Sequence, residues 1–114
     1  MRVNTTGALL LLKLAESSPG IQAFVQVSSC YVNADRTGYI EERFYESKND
    51  WQADYDKIRT LSQMDLKKNK KDLLGQFPNA YVYTKRMAEH LLWAHNKKQI
   101  PLVFLRASTI GVAA

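Results

Sequence analysis

Two short apolar runs, each ending in small polar residues, frame this chain. Ala23-Phe24-Val25-Gln26-Val27 leads into Ser28-Ser29-Cys30-Tyr31-Val32-Asn33, and Leu102-Val103-Phe104-Leu105-Arg106 leads into Ala107-Ser108-Thr109-Ile110-Gly111. Runs of this length, rich in Val and Phe, read as buried strands. Between them, Tyr81 to Asn96 has helical apolar spacing through Met87, Ala88, Leu91 and Leu92, until Ile100-Pro101 breaks it. Strand–helix–strand order argues for a parallel sheet with right-handed crossovers. The expected fold class is α/β, a partial, doubly wound, Rossmann-like sheet of two parallel strands with flanking helices and a helical insertion. In open sheets of this kind ligands bind beyond the carboxyl ends of the strands. Both small polar segments should therefore lie on one edge, with the first turn of the Tyr81 helix between them.

The remaining segments fit around that frame. Asn4 to Ser18 reads as a helix, capped by Thr5 or Thr6 and stopped by Ser17-Ser18-Pro19-Gly20. Leucines fill nearly every position from 9 to 14, and a helix apolar almost all round is expected to be buried against other elements. Residues 34–80 change character. Asp35-Arg36-Thr37-Gly38 reads as a turn, and Asp50 to Lys71 as one or two amphipathic helices. In these helices Trp51 and Tyr55, one turn apart, belong to the core.

Tyr81 and Lys85 carry the clearest chemistry. Four apart on a helix, they point the same way. A lysine ammonium within about 4–6 Å of a phenol favours the phenolate, which suits general acid/base work near neutral pH. Alone, the Y-x-x-x-K pattern also describes a half-buried tyrosine beside a solvated lysine. Convergence with the two strand ends is what singles this copy out.

Charge and cysteine usage narrow the classes. The 114 residues are 46% hydrophobic and 24% charged, so the chain is of globular type, with a net charge of +5. Lys67, Lys68, Lys70 and Lys71 supply much of that excess and read as a solvated helix face. No zinc-finger spacing or RNA-binding aromatic motif supports a nucleic-acid partner. Cys30 is the one cysteine and has no internal partner, which suits a reducing, intracellular compartment. It reads as a small packed residue. The longest apolar run, Ala8 to Leu12, is too short to span a bilayer. No metal site is expected.

Three stretches taken together, Val27 to Asn33, Pro78 to Lys85 and Leu105 to Gly111, resemble the extended short-chain dehydrogenase/reductase superfamily. More narrowly they resemble its fatty acyl-CoA reductases, also called the male-sterility type. Val3-Asn4-Thr5-Thr6-Gly7 before a leucine-rich helix is similar to the helix that precedes the serine strand in that family. The long interval from Ser29 to Tyr81, with Gly38-Tyr39-Ile40-Glu41-Glu42 inside it, separates the chain from sugar-nucleotide enzymes of the superfamily.

The resemblance implies roles. Tyr81 would protonate the oxygen when hydride reaches a carbonyl carbon. Lys85 would assist it and hydrogen-bond the nicotinamide ribose. Ser29, with Ser28 as the fallback, would hold the substrate carbonyl, and Asn4 would help hold a proton-relay water. Ala107, where the family usually has Pro, and Ser108 would lie beside the nicotinamide. The implied reaction is NADPH-dependent reduction of a long-chain acyl-CoA to a primary alcohol through the aldehyde. The implied setting is a peroxisomal or endoplasmic-reticulum membrane surface, with membrane attachment through parts outside this sequence. Glycines occur only at 7, 20, 38, 75 and 111, so no glycine-rich phosphate loop is present. Residues 1–114 are thus expected to be a partial NAD(P)-binding domain, lacking its nucleotide-binding first half and its carboxyl-terminal part, and inactive in isolation. Two other readings stay open. One is a thioester reductase or another member of the superfamily with a different substrate. The other is a non-catalytic fragment that binds a partner through the basic helix at 65–71.

Overall fold

The computed structural model describes residues 1–111. Its sheet has two strands, β1 (Phe24–Ser29) and β2 (Leu102–Ala107), paired in parallel from Phe24 opposite Leu102 to Ser29 opposite Ala107. The carboxyl ends of both strands therefore meet at one edge, as the residue order requires. A 3-10 turn, Cys30–Asn33, continues directly from β1.

Among the described residues the chain also forms five α-helices: α1 (Ala8–Ser17), α2 (Trp51–Thr60), α3 (Gln63–Lys68), α4 (Lys70–Leu74) and α5 (Ala80–His95). Side chains cap three of them. Asp50 accepts from the Ala53 amide at 3.0 Å, Ser62 from Asp65 at 3.2 Å, and Asn79 from Val82 at 2.9 Å. Each satisfies an amide that the first helical turn leaves without a partner. The insertion 34–79 is irregular to Asp50 and helical after it.

α5 is the hub because it offers apolar stripes in two directions. Val82, Tyr83, Met87 and Leu91 pack with Trp51, Tyr55 and Phe77 of the insertion. Leu92 packs with Ala8 and Leu12 of α1, against which Phe24, Leu102 and Phe104 of the sheet also rest.

Four expectations need correction. α1 is not buried all round. Ala8, Leu12 and Ala15 face inward, but Leu10, Leu11 and Leu14 stay largely exposed, because α1 is covered along one stripe only. The strands are not buried on both faces either. Phe24, Gln26, Phe104 and Arg106 are partly covered, whereas Val25, Val27, Val103 and Leu105 on the alternate face are about half exposed. Neither Thr5 nor Thr6 caps a helix. Arg2–Gly7 is a π-helical turn that runs straight into α1, and both threonines bond outward to other elements. Cys30 is exposed rather than packed, since it lies where the chain leaves the sheet.

Candidate active site

The site is assembled where the start of α5 meets the strand ends. Pro78-Asn79 turns the chain and Asn79 caps the helix, so Tyr81 and Lys85 fall in its first two turns. The Lys85 ammonium lies 5.9 Å from the centre of the Tyr81 ring and donates to the Val27 carbonyl at 2.8 Å. Lys85 thus bridges from the tyrosine to β1, two residues before Ser29. The Tyr81 ring is half exposed, so its phenol is accessible to a ligand.

Ser28 and Ser29 are both buried at the end of β1. Ser29 Oγ accepts from the Tyr31 amide at 3.2 Å and closes the 3-10 turn. Ser28 Oγ has no hydrogen-bond partner among the described residues. A buried hydroxyl without a partner is costly unless something else satisfies it. Across the sheet, Ala107 stands opposite Ser29, and Ser108 follows it into an exposed segment. A contact of 3.4 Å between the Tyr31 and Thr109 hydroxyls links the two segments beyond the strands.

Asn4 reaches the same helix at a different point. Its amide donates to Thr84 Oγ1 at 3.2 Å, while Thr84 itself donates to the Ala80 carbonyl at 2.8 Å. Thr5 donates to the Thr84 carbonyl at 3.0 Å. These bonds dock the π-helical turn beside Lys85. Asn4 makes no hydrogen bond with Tyr81 or Lys85. Turns of this wide type are often found at functional sites.

A cleft of about 550 Å³ opens next to the strand ends, between Cys30, Asn33, Phe44, Phe104 and Arg106. That volume falls in the usual range for small-molecule sites. A larger hollow of about 650 Å³ lies at the insertion, among Asp54, Lys57 and Gly75, and neither cavity is lined by Tyr81, Lys85, Ser28 or Ser29.

Sequence reasoning missed the charged cluster beneath this crevice. Arg86 and Glu89 have no exposed surface. Glu89 receives two bonds from Arg106, Nε at 3.1 Å and Nη2 at 2.7 Å. Arg86 donates to Asn33 Oδ1 and, at 2.9 Å, to the Tyr45 carbonyl. Burial lowers the Arg86 guanidinium from its ordinary value, and Asp35 and Glu89 act in the opposite sense. The available signal was a charged pair at helical spacing inside an otherwise apolar helix face, with a third charge at the end of an apolar strand. Nearby, His90 packs against Phe44 and Trp51, with ring centroids 4.6 and 5.6 Å away. Burial, helped by Arg86 and Arg106, depresses its imidazole to about 4.

Comparisons with known proteins point the same way as the site. The sequence profile of an NAD-binding family described as male sterility protein matches residues 1–113. A provisionally named fatty acyl-CoA reductase of Drosophila melanogaster is 33% identical over 97% of this chain and 21% of its own length. Probable fatty acyl-CoA reductase 5 of Arabidopsis thaliana is 32% identical over 95% of this chain and 26% of its own. Fatty acyl-CoA reductase 1 of Xenopus laevis is 27% identical over 99% and 22%. The chain spans about a fifth to a quarter of the length of these three relatives. No solved structure matches it.

Proposed function

The chain belongs to the male sterility protein family, and we propose that it is the catalytic segment of an NADPH-dependent fatty acyl-CoA reductase. In this reading residues 1–114 are a partial nucleotide-binding domain, and the phosphate-binding loop comes from sequence outside them. The observation that carries the proposal is the Lys85 ammonium, held between the Tyr81 ring and the carboxyl end of the serine strand.

The residues divide the work by position. A buried serine hydroxyl, Ser29 or its unpartnered neighbour Ser28, donates to the thioester carbonyl oxygen. The nicotinamide supplies hydride to the carbonyl carbon when it is bound. Tyr81 gives its proton to the oxygen on which charge develops, and Lys85 places positive charge beside the resulting phenolate. The hemithioacetal then loses the CoA thiol and leaves an aldehyde. With a second hydride from a second NADPH at the aldehyde carbon, Tyr81, reprotonated from water, would give the second proton and leave the primary alcohol. Lys85 and Tyr81 would hold the nicotinamide ribose, with Ala107 and Ser108 beside the ring. Asn4, fixed on Thr84, would steady a water for proton return.

What is present fits the nicotinamide end of a dinucleotide: an ammonium, a phenol and buried hydroxyls at one sheet edge. The test is NADPH oxidation with palmitoyl-CoA by the complete gene product, alongside its Tyr81→Phe variant. Turnover in the parent that collapses in the variant is the expected result. An unaffected variant would remove Tyr81 from the chemistry, and an inactive parent would redirect the reading to another substrate.

A further inference from the structure

We infer that Arg86 and the Glu89–Arg106 pair are positioning residues for the proposed site, fixing α5 against the two strand-end segments that flank it. The inference rests on the proposed reduction, because it concerns how that site is held. Its geometry stands independently.

Arg86 is next to Lys85 in the chain and, about 100° round the helix, points into the protein. Its two Nη groups grip Asn33, which ends the 3-10 turn after Ser29, and the Tyr45 carbonyl of the insertion. The Tyr45 ring is in turn clamped between the guanidinium groups of Arg36 and Arg43, at 4.1 and 4.0 Å. One helical turn after Arg86, Glu89 takes Arg106 in a two-point contact. Arg106 is the residue before Ala107, and its Nη1 also donates to the Arg43 carbonyl at 2.9 Å. Two arginines thus tie together every segment that carries a candidate site residue except the π-helical turn: the end of β1, the end of β2 and the first half of α5.

Direction is what such contacts provide. A forked guanidinium–carboxylate contact fixes angle as well as distance. Buried ion pairs are poor sources of stability, since apolar residues of similar volume commonly do as well or better. Leu92, Phe24 and Phe104 show that apolar packing is available only a few residues away. Burying Glu89 and Arg86, with Arg106 partly covered, between α5 and the strand ends therefore does what apolar packing does not, which is to set orientation. Reaction rates are sensitive to that orientation, and a misplacement of about 1 Å can cost roughly 100-fold.

The experiment uses the complete gene product with three variants: Arg86→Met, Arg106→Met, and the double change Glu89→Met/Arg106→Met. Readouts are thermal melting, kcat and KM for palmitoyl-CoA with NADPH, and amide hydrogen exchange over residues 28–33 and 107–111. Both single variants should lose melting temperature and kcat together. The double variant should regain melting temperature, keep kcat about 10- to 100-fold down with KM little changed, and exchange faster over both segments. A double variant that recovers kcat along with melting temperature would overturn the inference, because a merely structural pair behaves that way. If the parent oxidises no NADPH with any acyl-CoA, the proposed function fails while hydrogen exchange still decides: unchanged protection in the double variant refutes positioning, and faster exchange upholds it.

Discussion

Lys85 and Arg86 are neighbours in sequence and long cations of the same sign, yet their surroundings are opposite. Lys85 is partly exposed, makes one bond to a strand carbonyl and lies alongside a half-exposed tyrosine. Arg86 has no exposed surface and is gripped by a side-chain amide and a carbonyl from separate parts of the chain. The helix turns about 100° between them, which leaves one partly exposed beside Tyr81 and carries the other into the protein. The difference shows how a small domain combines reach with precision. Lys85 and Tyr81 stay accessible, and the arginine one residue on is held by its framework.

Substitutions can test that division. The largest effect should be at the accessible pole: Tyr81→Phe removes the proposed proton donor, and kcat of the complete gene product should fall by about 10²–10⁴-fold. Its melting temperature should hardly move, since the ring stays and its hydroxyl has no partner among the described hydrogen bonds. A melting temperature that falls with kcat would place Tyr81 with the framework instead. The buried pole should show the reverse sensitivity. Met87→Ala, at a fully buried position, should cost about 2–5 kcal/mol in denaturant unfolding.

A weaker effect should come from acid. The His90 imidazole is depressed to about 4, below its ordinary value near 6.5, so the unfolded chain takes up the proton first. Stability from this group is complete above about pH 6.5 and is lost as pH falls toward 4. Melting temperatures at pH 7 and pH 5 should therefore differ less in His90→Phe than in the parent. The smallest effect should follow Asn79→Ala, which removes the α5 cap and should cost about 1 kcal/mol. If that change also lowered kcat strongly, the start of α5 would belong to the framework as much as Arg86 does.

Much of this arrangement could be read from the residues. Alternation of short apolar runs with a long helical one implied parallel pairing, and the helical spacing from Tyr81 marked α5 to within a residue of its start. The convergence of Tyr81 and Lys85 on the serine strand followed from order alone. The covered faces of α1 and the strands could not be read that way. A leucine at position 10 and one at position 12 are chemically identical, and only the packing of α5 decides which is buried. The charged cluster was missed for a related reason. Arg86, Glu89 and Arg106 look like surface residues until the fold brings them within reach of one another. Thr5 and Thr6 look like caps until α5 and α2 offer their hydroxyls other partners, the Thr84 carbonyl and the Tyr55 phenol.

Parallel pairing of β1 with β2 has a kinetic consequence. Phe24 meets Leu102 only after the chain has passed through the whole insertion and α5. No local hairpin joins the two described strands, and closing so long a loop has an entropic cost before any contact between them forms. Helix α5 contacts both sides of that loop and is the element best placed to form early. The order of events should then run from α5 outward, with the strand edge that carries Ser29 and Ala107 assembled last. Refolding followed at the tryptophans, Trp51 beside α5 and Trp93 on it, should accordingly precede the protection of β1 and β2 amides.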